Sequence, residues 1–80
     1  MTRAELLSAA LVLLDGRGSL TTTDLLDGAG VAKGAQRRRA WRDLNTLQAT
    51  GKLDARRIMV PGKSEHSAPV PALLWSRRPS

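Results

Sequence analysis

Residues 20–51 read LTTTDLLDGAGVAKGAQRRRAWRDLNTLQATG, and the punctuation of this stretch decides the fold. Three threonines precede Asp24-Leu25-Leu26-Asp27. A Thr22 or Thr23 hydroxyl can satisfy the free amides of a short helix over about 22–28, with Asp24 and Asp27 complementing its positive end. Gly28 and Gly30 end that helix, and Val31 follows as an apolar plug. A longer helix is expected from Lys33 or Ala35 to Thr50, so over about 33–50, with Gly51 as its stop. Its apolar residues Ala40, Trp41, Leu44 and Leu47 fall on one side at a 3.6-residue period, with Trp41 at the edge of the stripe.

Upstream, Thr2-x-x-Glu5 has the spacing of a capping box. Leu6, Leu7, Ala10, Leu11, Leu13 and Leu14 then give a wide apolar face, which predicts a first helix over about 3–14, stopped by Asp15-Gly16 and Gly18. Ser19-Leu20-Thr21 is too short for more than a strand stub. Downstream the period changes. Residues 53–60, with Ile58, Met59 and Val60, read as a strand, and 70–76, with Leu73, Leu74 and Trp75, as its return. A polar loop from Pro61-Gly62 to Ala68 joins them. Pro69 and Pro71 cannot donate to a ladder and belong at an edge or at the loop margin. The expectation is a single domain over 1–78, mainly α with a small β-hairpin (an α+β fold), and a tail at 79–80.

Composition removes several function classes. Eighty residues make one small domain, which buries only about 60% of the surface its unfolded chain exposes. With no cysteine and one histidine, His66, no disulfide framework, thiol chemistry or zinc site is expected. Gly28-x-Gly30 lacks a third glycine and a preceding strand, and neither a P-loop nor a Ser-His-Asp set is visible. An enzyme is not expected, nor a cofactor or a bound metal. Leu6–Leu14 is too short to span a bilayer, and Glu5 and Asp15 flank it wrongly for an export signal. The chain reads as cytoplasmic, associated with the nucleoid.

Charge carries the strongest global signal. The chain holds 13 Lys and Arg against 7 Asp and Glu. Met1–Ala32 has two basic and four acidic residues, a net of −2, whereas Lys33–Ser80 has eleven basic and three acidic, a net of +8. A GC-rich coding bias accounts for ten arginines against three lysines, but not for their gathering in one half. Such a field attracts polyanions.

The third helix shows where that charge goes. At about 100° per residue, Arg38, Arg39, Arg42, Asn45 and Thr46 lie opposite the apolar stripe, with Gln36 and Arg37 flanking. Guanidinium and amide groups suit phosphates and the base edges of a major groove. Small Ala35 lets the amino-terminal end approach closely. Lys33 and Thr22, at the starts of the two helices, are further candidate contacts, because a helix start presents amides to phosphate. Arg56, Arg57 and Lys63 extend the basic set onto the hairpin, although adjacent strand residues point to opposite faces. A solvated charged face is the bland reading of Arg37-Arg38-Arg39 taken alone.

Short helix, glycine turn, longer helix is a helix-turn-helix order, and the strand-loop-strand after it makes the pattern winged, with a two-stranded wing. Residues 20–32 resemble the second helix and turn of the DeoR-type winged helix-turn-helix repressors. Residues 42–53, RDLNTLQATGKL, are similar to that family's R-D-L-x-x-L-x-x-x-G-x-L ending. The resemblance implies a winged fold in which Ala32 holds the turn position, Arg42 the motif arginine, and Leu44 and Leu47 the core. It also implies that the first half of the third helix touches DNA and that the wing meets backbone. Trp75 resembles the aromatic that anchors the hairpin to the helices. The chain departs from the family in an interval from Val31 to Leu44 about one helical turn longer, and in having Ala32 where a serine is usual.

The expected function is sequence-specific binding of double-stranded DNA by a small stand-alone regulator, as a homodimer or with a protein partner. No membrane and no small-molecule effector are expected. Two rivals use the same surface: a winged-helix adaptor for an acidic protein, and an architectural or recombination-directionality factor. RNA is disfavoured because Phe and Tyr are absent and only two Trp could stack on bases.

Overall fold

The computed structural model describes residues 2–62 and 66–78, so Lys63 and the tail at 79–80 lie outside the described residues. The elements run α1 (Arg3–Arg17), β1 (Ser19–Thr21), α2 (Thr22–Gly28), α3 (Ala35–Ala49), β2 (Leu53–Val60) and β3 (Val70–Arg77). Three helices and a three-stranded antiparallel sheet make an α+β fold. The strand order is β1-β3-β2, so the expected two-stranded hairpin is one strand short. The supposed stub Ser19–Thr21 pairs Ser19 with Ser76, Leu20 with Trp75 and Thr21 with Leu74. Three residues suffice because Leu20 is buried beside Trp75 and drives the pairing.

Local chemistry sets most boundaries. In the capping box of α1 the Glu5 amide donates to the Thr2 hydroxyl at 3.2 Å, and the Thr2 amide donates to the Glu5 carboxylate at 3.3 Å. That helix continues past the expected stop, because Asp15 and Gly16 stay helical and Gly18, at φ 80°, provides the exit. The cap of α2 is Thr21, whose hydroxyl accepts from the Asp24 amide at 3.3 Å. Thr22 and Thr23, the expected caps, are already inside the helix. Both α2 and α3 end in Schellman turns. The Val31 amide donates to the Leu26 carbonyl and the Gly30 amide to that of Asp27, with Gly30 at φ 76°. Lys52 and Gly51 repeat the arrangement on Leu47 and Gln48. The third helix starts at Ala35, after Gly34 at φ 93°, so Lys33 precedes it.

One core joins the two layers. Leu6, Ala10 and Leu14 of α1, Leu25 and Leu26 of α2, and Ala40, Leu44 and Leu47 of α3 pack on Leu20, Leu53 and Trp75 of the sheet. Strand alternation gives the sheet two unlike faces. Leu53, Ala55, Leu73 and Trp75 lie on the side of the helices, and all four belong to the core or pack against it. Ile58, Val60, Ala72 and Leu74 lie on the other side, outside that core. Pro71 pairs with Met59 inside β3. It is tolerated there because β1 reaches only Leu74–Ser76, which leaves residues 70–73 with a single neighbouring strand.

Candidate nucleic-acid interface

The third helix exposes its basic side because its apolar side is fully used. Ala40, Leu44 and Leu47 are buried, while Arg38, Arg39, Arg42 and Asn45 are exposed, as are Lys33, Ala35 and Gln36 at the amino-terminal end. No acidic partner lies within ion-pair distance of Arg38, Arg39 or Arg42 among the described residues. Three guanidinium groups thus stand unpaired on one helix face. The acidic residue of this helix, Asp43, pairs instead with Arg3 of α1 at 3.3 Å. Thr46 is half-buried, and its hydroxyl donates to the Arg42 carbonyl at 3.1 Å, as helical threonines often do.

Two of the expected site residues, Arg37 and Thr22, have other work. Arg37 turns inward: its Nη2 donates to Asp27 Oδ1 at 2.6 Å and to the Val31 carbonyl at 3.0 Å, and its side chain is 21% exposed. It ties α3 to the end of α2 and is not free for a ligand. The signal was in the spacing, since Arg37 lies seven residues before Leu44 and so on the same helical stripe. Thr22 accepts from the Trp75 indole N–H at 2.7 Å, a contact across 53 residues that no local pattern announces. Of the two hairpin arginines, Arg57 pairs with Leu73 on the helix side of the sheet, and Arg56 with Leu74 on the far side. Both are exposed.

Trp41 lies at the edge of the apolar stripe, as expected, and is only partly covered: it is 40% exposed, whereas Trp75 is 0% exposed. At about 100° per residue it sits some 60° beyond Leu44, which carries it past the rim of the core and onto the side of Arg38 and Asn45.

Elsewhere, among the described residues, no three His, Cys, Asp or Glu side chains gather where they could share a metal ion. No helix is long and apolar enough to cross a membrane. Compared with family models, curated proteins and solved structures, the chain finds no match in any of the three.

Proposed function

We propose that this protein is a winged helix-turn-helix domain that binds double-stranded DNA sequence-specifically, with α3 in the major groove and the β2–β3 hairpin along the backbone. Its role in that reading is a small transcriptional regulator acting as a homodimer on a two-fold site. The observation that carries it is the open face of α3, where Arg38, Arg39 and Arg42 have no acidic partner among the described residues and Asn45 lies one turn further on. Arginine reads guanine O6 and N7 in pairs of hydrogen bonds, and asparagine does the same for adenine N6 and N7. The DeoR-type likeness of residues 20–53 supports the reading from the sequence side. Lys33 and the first-turn amides of α3, which no side chain caps, suit a phosphate.

The test is selection of bound duplexes from a random pool, followed by salt titration on a selected and a random duplex. Neutralising about four to six phosphates gives a log–log slope near −4 to −5. Arg42→Ala is expected to weaken the selected duplex more than the random one, and a variant that keeps the wild-type affinity for both duplexes would overturn the groove assignment.

A second reading, a protein-binding adaptor, is favoured by one feature: among the described residues, the sheet side holding Ile58, Val60, Ala72 and Leu74 lies outside the core. An adaptor would show no preference among duplexes in the same titration.

A further inference from the structure

We propose that Trp41 reads thymine, by laying its indole against the 5-methyl group in the major groove. The inference rests on the DNA-binding reading above and adds to it a base that arginine and asparagine do not select. Its starting point is an anomaly of burial. An indole carries a large apolar surface, and leaving it in water forgoes stabilisation that Trp75 obtains in full. Trp41 leaves 40% of its surface open on a helix whose other outward groups are mostly polar or charged. Its N–H donates no hydrogen bond among the described residues, in contrast to that of Trp75, which is held by Thr22. Packing does not account for the exposed part of Trp41.

Its neighbours define the ligand chemistry. Trp41 is three residues after Arg38 and four before Asn45, so the three side chains form one stripe along the exposed side of α3. Four residues advance a helix by about 6 Å, close to two base steps of ~3.4 Å each. A duplex on this stripe therefore brings base pairs one to two steps apart under Asn45, Trp41 and Arg38 in turn. The major-groove edge offers a single apolar group, the thymine methyl, and apolar side chains are its usual partners. The stripe reads as guanine under Arg38, adenine under Asn45 and thymine under Trp41.

The experiment uses the tightest duplex recovered from the random pool and replaces its thymines one at a time with deoxyuridine, which removes the methyl and nothing else. The wild type is expected to lose about fourfold in affinity at one thymine position, the worth of one buried methyl group. Trp41→Ala is expected to bind thymine and deoxyuridine duplexes equally. Alanine favours helix and Trp75 keeps the core, so the variant should fold, and Trp41→Gln serves as a polar helix-forming control. Tight binding by the wild type that ignores every deoxyuridine, or a Trp41→Ala variant that still discriminates, overturns the thymine assignment alone. Failure of the wild type to bind any duplex at low salt overturns the DNA-binding reading with it.

Discussion

Three consecutive arginines on α3 have two different fates, and the difference is measurable. Arg37 is linked to Asp27 and to the Val31 carbonyl, so Arg37→Ala breaks the strap between α2 and α3. Hydrogen bonds to charged groups are worth more than neutral ones, but Asp27 is largely exposed, which reduces the gain; a loss of about 1–2 kcal/mol is expected in denaturant melts. Arg38→Ala touches no such partner and should change stability by less than about 0.5 kcal/mol. Under the DNA-binding reading its effect belongs to binding: affinity for a selected duplex is expected to fall more than for a random one, as a guanine contact requires. A stable Arg37→Ala, or an Arg38→Ala that keeps the wild-type affinity for both duplexes, would reverse the assignment. At the other end of the chain, the Thr2 amide, and then its hydroxyl, hold the Glu5 carboxyl below its ordinary value of 4.5. A carboxyl whose folded value is depressed contributes stability that is complete above the unfolded value and lost as pH falls through the folded one. The stability gap between the wild type and Glu5→Ala should therefore be constant near neutral pH and narrow below pH 4.5. A gap that widens on acidification would count against the capping box.

Helix and strand boundaries were legible where a local group enforces them, and misread where a distant one does. The Thr2–Glu5 box, the glycine exits at Gly18, Gly30 and Gly51, and the apolar stripe of Ala40, Leu44 and Leu47 all follow from spacing, and the structure has each of them. Ser19–Thr21 was legible only as a strand stub, and its place in the sheet was not, because β1 is three residues long and its pairing depends on Trp75, far along the chain. The threonine run was ambiguous for the same reason. All three residues can cap, and only the register of β1 assigns the cap to Thr21 and the indole to Thr22. That division predicts different costs. Thr21→Ala should lose about 1 kcal/mol, the usual worth of an N-cap, whereas Thr23→Ala, exposed and one turn position inside, should stay within about 0.5 kcal/mol. Thr22→Val leaves a buried indole N–H without its acceptor and should cost about 1–3 kcal/mol. In a double-mutant cycle with Trp75→Phe that cost should largely disappear, since the donor goes with the tryptophan. Additive losses would mean that the hydroxyl acts on something other than Trp75.

Across the whole molecule, the net of +8 over residues 33–80 is shared between α3 and the sheet, and the sheet's share is divided between its two sides. The sequence showed that Arg56 and Arg57 point oppositely, but alternation alone does not say which one shares a side with α3. The register does: Trp75 is buried under the helices, Leu73 is two residues before it, and Arg57 pairs with Leu73. Under the DNA-binding reading a duplex along α3 would meet the sheet from the helix side, the side of Arg57, while Arg56 lies on the far side with Leu74. Under the DNA-binding reading, Arg57→Ala should lower affinity for selected and random duplexes alike and make the salt slope shallower by about one phosphate contact. Arg56→Ala should leave the slope unchanged. Both arginines are exposed, so neither replacement should move stability by more than about 0.5 kcal/mol, which keeps the binding comparison clean. The opposite ranking would place the duplex on the Ile58, Val60 and Leu74 side, where α3 could not enter its groove, and equal effects would mean that the hairpin meets the backbone edge-on through β2.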